Sequence, residues 1–115
     1  MKQLKVKPSL YAHYFEILKR IALTYGYNLV LHGSLDMDLD IIAIPWEDEV
    51  GSYKQMVANF CRALGVKKDD VHVVYTDKPH GRKCCIIDLN RTDWTGYDAQ
   101  YYIDLSIMPT IKSKK

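Results

Sequence analysis

Apolar positions in this chain fall into two runs with helical spacing and five with strand character. Pro8 suits the first turn of a helix, where its missing N–H needs no partner. After it Leu10, Tyr14, Leu18, Ile21 and Tyr25 recur at helical spacing, and Tyr11, Phe15 and Ala22 widen the stripe. Gly26 supplies the stop. The spacing predicts an amphipathic helix of about five turns. Asn28 to His32 reads as a short strand, because Leu29, Val30 and Leu31 are continuously apolar. Gly33-Ser34 turns the chain. Asp38 to Ile44 predicts a second strand, apolar on both faces beyond its two acids, which suits the middle of a sheet. Pro45 ends it.

Asp48 is the expected N-cap of a second helix. Val50, Tyr53, Val57, Phe60 and Leu64 carry its stripe, with Met56 and Cys61 beside them, and Gly65 closes it. A polar turn, Lys67-Lys68-Asp69-Asp70, leads to a strand from Val71 to Thr76. Asp77 to Arg82 is a loop with Pro79 and Gly81 close together. Lys83 to Leu89 is a strand, Asn90 to Gln100 a polar loop or hairpin connection, and Tyr101 to Met108 the last strand, closed by Pro109. The order helix, strand, strand, helix and three strands predicts an α+β fold: a mixed sheet of about five strands with two main helices packed on one face.

The 115 residues suit one domain, spanning 1–115, with one core. A net charge of +2 gives no reason to expect a nucleic-acid or membrane partner from the overall field. The basic excess lies in Lys2, Lys5 and Lys7 at one end and Lys112, Lys114 and Lys115 at the other, read as solvated tails. No apolar run is long enough to span a bilayer and no signal-peptide pattern is present, so the expectation is a cytoplasmic protein without a membrane partner. Cys61, Cys84 and Cys85 form an odd set with no CxxC pair and read as reduced thiols.

The candidate chemistry lies in His32-Gly33-Ser34-Leu35-Asp36-Met37-Asp38-Leu39-Asp40. Strand side chains alternate, so Asp38 and Asp40 share one face and Leu39 and Ile41 the other. Two carboxylates on one face of an otherwise apolar strand repel each other and resist desolvation unless a cation sits between them. Asp104, between Ile103 and Leu105, is a further carboxylate on an apolar strand. Asp36 shares the parity of Asp38 but lies in the turn, where a solvated or capping role fits it.

A Gly-Ser turn followed by Asp-x-Asp opening a strand resembles the signature of the nucleotidyltransferase (polymerase-beta-like) superfamily. The resemblance covers mainly residues 28–46 and more loosely 101–109. It implies that Gly33 and Ser34 hold a triphosphate. It also implies that Asp38, Asp40 and Asp104 act as metal ligands, Asp104 as the third ligand or as a base. The cofactor implied is Mg²⁺ or Mn²⁺, and the reaction is transfer of a nucleotidyl group from a nucleoside triphosphate to an acceptor. Family members carry a longer segment between the Gly-Ser turn and the first acid; here only Leu35, Asp36 and Met37 intervene. The whole chain is also similar to small phage and prophage proteins with a His-Gly-Ser, Asp-Leu-Asp, Pro-His-Gly-Arg and Ile-Asp-Leu-Ser layout.

Lys78-Pro79-His80-Gly81-Arg82 is a second constellation. Arg grips phosphate bidentately, so Lys78, His80 and Arg82 could form the positive half of a nucleotide site; as a bare loop the segment is simply solvated. His32 reads as a packed strand-end residue or a further polar contact, and His13 as a surface or half-buried helix residue. Trp46 and Trp94 read by default as core-edge packing, with stacking on a base as the alternative. Two functional classes stay open: a minimal metal-dependent transferase, and a catalytically inactive relative of the fold. The second would bind a nucleotide, a nucleic-acid end or a host protein through the same cleft, as a phage-encoded modulator would.

Overall fold

The first apolar stripe forms α1, Lys7–Thr24, and the second forms α2, Tyr53–Leu64. Between and after them lie β1 (Tyr27–His32), β2 (Leu39–Pro45), β3 (Val73–Asp77), β4 (Lys83–Asp88) and β5 (Tyr102–Ile107). The structure, a computed structural model, describes residues 7–33, 39–66, 73–89 and 102–110. Ser34, Asp36, Asp38, the expected turn and strand start at 67–72, the 90–100 connection with Trp94, Lys2, Lys5, Lys112, Lys114 and Lys115 lie outside the described residues, whereas Lys7 opens α1.

The five strands form one sheet in the order β1-β2-β5-β4-β3. β2 and β5 run parallel and the other neighbours antiparallel, so the sheet is mixed as expected. Both helices bury their stripes against one face. Tyr11, Leu18 and Ala22 of α1 and Met56, Val57 and Phe60 of α2 are fully buried. They pack in one core with Leu39, Ile41 and Ala43 of β2, Ile103, Leu105 and Ile107 of β5, and Cys85 and Ile87 of β4. Because strand side chains alternate, every intervening residue faces the other side of the sheet. That side carries no helix among the described residues, and β5 shows it as a strict alternation of half-buried and buried positions.

The start of α2 differs from the expectation. Ser52, not Asp48, is the N-cap: its Oγ accepts from the Gln55 N–H at 3.3 Å. Residues 47–51 instead close against the end of α1. The Trp46 N–H donates to the Gly26 carbonyl at 3.0 Å and the Gly51 N–H to the Tyr25 carbonyl at 2.9 Å. These extended-chain bonds use the segment that would otherwise begin the helix. The stop at Gly65 is as expected, with φ of 74° in the left-handed region. No described helix is long and apolar enough to cross a membrane.

Candidate functional site

The open face of the sheet holds the acids. Asp40 and Asp104 are register partners on the parallel pair β2–β5, so they stand side by side, and His32 is the partner of Asp40 across β1. Neighbouring strands lie about 4.8 Å apart, which brings the two carboxylates close on one face. Their strands run on through Ile42 and Ile44, and through Ser106 and Met108, on the same face. A cleft of about 960 Å³ follows this line, from His32, Asp40 and Asp104 at one end to Trp46, Met108 and Pro109 at the other. The apolar open face of β2 is therefore a cleft lining; it packs against no second layer among the described residues.

Gly33 stands directly behind Asp40. A Cβ built on it would lie 2.9 Å from Asp40 Oδ2, closer than real contacts allow, and its φ of +87° is one that glycine adopts without strain. Gly33 thus leaves no room for a side chain beside the carboxylate. Of the other residues the sequence singled out here, Asp38 and Ser34 lie outside the described residues.

The second constellation reaches the cleft through Arg82 alone. Its loop closes on itself, the Lys78 N–H donating to the Arg82 carbonyl at 2.8 Å, around a single 3-10 turn at Pro79–Gly81. It joins the sheet where Lys83 pairs with Ile107, three residues along β5 from Asp104, or about 10 Å. Lys78 and His80 are exposed there and do not line the cleft. Arg82 does, and its Nε is shielded from solvent with no partner among the described residues. A guanidinium N–H left buried and unpaired is destabilising by roughly 1–3 kcal/mol or more, an energy that an incoming acceptor oxygen recovers.

The cleft is acidic. Asp40, Glu47, Asp48 and Asp104 line it against the single guanidinium of Arg82. Such a site favours a cation, or an anion that arrives carrying one. The donor set fits Mg²⁺ or Mn²⁺, which take hard oxygen ligands and keep waters or substrate phosphates in the remaining positions. Among the described residues no group of three or more His, Cys, Asp or Glu converges on one ion position, and Asp38 is not among them. Two neighbouring carboxylates are the protein share of such a shell when substrate phosphates complete it.

Sequence reasoning assigned Cys84 no place in the site and read Trp46 by default as core-edge packing, with base stacking as the alternative. The Cys84 thiol donates to Asp104 Oδ1 at 3.4 Å. Strand parity carried the signal, since Cys84 and Asp104 fall on the same face once β4 and β5 pair. Desolvation raises the Cys84 pKa, and the bonded Asp104 carboxylate raises it further, while the charges of Lys78 and Arg82 pull the other way. Desolvation and the carboxylate thus both disfavour the thiolate. Iodoacetamide labelling at pH 8, read by peptide mass spectrometry, should modify Cys84 several-fold faster in Asp104→Asn than in the native chain, because the carboxylate that disfavours the thiolate is gone. Equal rates would mean that Asp104 does not act on the thiol. Cys61 and Cys85 are buried, and burial foremost pushes the Cys85 thiol up to about 12, so neither obscures the result.

Trp46 is 65% exposed and lines the outer end of the cleft, which replaces the core-edge reading. Compared with known proteins, the chain matches no family model and no curated protein.

Proposed function

We propose that the cleft takes a nucleoside triphosphate together with Mg²⁺ or Mn²⁺ and transfers the nucleotidyl group to an acceptor. The observation that carries this reading is the pairing of Asp40 with Asp104 in a cleft that also receives Arg82, whose Nε has no partner among the described residues. Asp40 and Asp104 would hold the ion, with Asp38 as the further ligand the sequence offers. The ion supplies charge neutralisation on the phosphates, the main requirement of phosphoryl chemistry. In the transfer, an acceptor hydroxyl oxygen bonds to the α-phosphorus and the bond to the β-phosphate oxygen breaks. Pyrophosphate leaves, and the hydroxyl proton passes to a carboxylate, for which Asp104 is the candidate. Arg82 can pair with a phosphate oxygen and recover its missing hydrogen bond. The neighbouring acids disfavour a bare polyanion, which supports entry of nucleotide and metal together.

A second reading keeps the ligand and drops the reaction: a phage-encoded binding protein that uses this cleft for a nucleotide, a nucleic-acid end or a host protein. The three-residue connection between Ser34 and Asp38 favours it, since members of the family that the motif resembles carry a longer segment there.

Calorimetric titration of Mn²⁺ with ATP or GTP tests the first step of both readings. Native protein should bind the pair, and Asp40→Asn/Asp104→Asn should weaken binding at least tenfold. Equal binding by the two proteins would remove the acids from the site. No binding by the native chain would overturn the nucleotide reading. Acceptor-dependent pyrophosphate release then separates transferase from binder.

A further inference from the structure

We propose that Trp46 is the base platform of this cleft: a nucleotide lies along the sheet with its base on the indole and its phosphates at Asp40 and Asp104. This deepens the nucleotide reading above and rests on it. The order of groups along the cleft carries the inference. Asp40 and Asp104 mark one end in a single row of the sheet. Ser106 and Ile42 form the next row on the same face. Met108 and Ile44 follow, joined through the Met108 N–H donating to the Ala43 carbonyl at 3.0 Å. Arg82, one residue before the Lys83–Ile107 pair, stands at the same level just ahead of β4. Trp46 comes last, six residues past Asp40, a span of about 20 Å at strand rise. An extended nucleoside triphosphate is a ligand of comparable length.

Each row suits one part of such a ligand. The acidic row suits phosphates carrying a metal; toward the outer end Trp46 is 65% and Met108 37% exposed beside Pro45 and Pro109, with Glu47 and Asp48 following Trp46 in the lining. A large indole held in water at the mouth of a cleft gains by stacking on a planar base. Its backbone is fixed, because the Trp46 N–H is bonded to the Gly26 carbonyl at the end of α1. The side chain is therefore presented from a rigid strand end, and removing it leaves that anchor in place. Arg82 lines the cleft between the two ends, two residues before Cys84, whose row lies nearer the acids. It suits the phosphates nearest the sugar.

Stacking on an aromatic is tolerant of base identity, so the platform predicts recognition of nucleotides as a class, not of one base.

The test compares Mn²⁺·ATP with Mn²⁺·tripolyphosphate, which has the phosphates and no base, by calorimetry and by indole fluorescence in a Trp94→Phe background that leaves Trp46 as the sole tryptophan. The nucleotide should bind at least about tenfold tighter than tripolyphosphate and quench Trp46, as expected for one stacked base. Trp46→Ala should remove that advantage while leaving tripolyphosphate affinity unchanged, and Trp46→Tyr should restore most of it. If the nucleotide keeps its advantage in Trp46→Ala, or has none in the native chain, the platform is wrong and the acidic end stands on the tripolyphosphate result. If neither ligand binds, the nucleotide reading fails and the platform with it.

Discussion

Replacing Leu105 with alanine should destabilise the protein by about 2–5 kcal/mol, the range for emptying a buried leucine site. Leu105 has no exposed surface and sits in the middle strand of the sheet, paired with Ile41 on one side and Cys85 on the other. Those partners are themselves 1% and 0% exposed. Domains of this size are stable by only about 5–15 kcal/mol, so the urea midpoint should fall by roughly a third, with an unchanged slope. The adjacent Ser106→Ala should shift it little, within about 0.5 kcal/mol, because that side chain faces the cleft. Similar effects at 105 and 106 would mean that the parity of β5 is wrong, and Asp104 would then point into the core instead of the cleft. The stability measurement is thus also a check on the candidate site.

Periodicity made most of this fold legible. Tyr11, Phe15, Leu18 and Ala22, spaced by four, three and four residues, could bury one helix face and nothing else, and they do. On β2 both faces read as apolar, and only the parity of the acids set Leu39 and Ile41 on the opposite face, which is the one the core takes. The pairing of strands was not legible. Nothing local says that β5 inserts between β2 and β4, because register is a contact between distant segments. Yet that insertion is what sets Asp104 beside Asp40.

Local rules misled in two places, both near the cleft. Asp48 is a good capping residue with an apolar run behind it, but the backbone of 46–51 is already bonded to the end of α1. The helix therefore waits for Ser52. Trp46 follows a strand-ending proline and reads as packing, because large aromatics are normally covered. Its 65% exposure breaks that rule at the mouth of a cleft that also holds four acids and Arg82, whose Nε has no partner among the described residues. Departures from local consistency are expected where a sequence is shaped by binding as well as by folding. The Lys78 to Arg82 loop is the opposite case. Its cationic cluster looked like a unit in one dimension, but a loop that closes on itself turns its side chains apart, and only Arg82, already in strand parity with Cys84, faces the cleft.

Gly33→Ala should cost on the order of 1–3 kcal/mol, and the loss should depend on Asp40. Two effects act at once. At φ of +87° an alanine Cβ crowds its own backbone, a penalty of roughly 1–2 kcal/mol that no neighbour can remove. The same Cβ would stand 2.9 Å from Asp40 Oδ2, so the carboxylate must also leave its place. In an Asp40→Ala background only the first effect remains. The double-mutant cycle, measured by urea denaturation, should therefore give a coupling of at least about 0.5 kcal/mol, the size expected for residues in contact. Mn²⁺·tripolyphosphate affinity should fall with Gly33→Ala alone, since the displaced carboxylate is a proposed ligand. Additive stability effects would mean that the turn does not press on Asp40, and unchanged metal·phosphate affinity would mean that the position of this carboxylate does not matter to the ion. The glycine of the motif would then serve the turn only. With coupling and lost affinity together, the glycine sets the position of the acid, because any larger residue occupies the space its carboxylate needs.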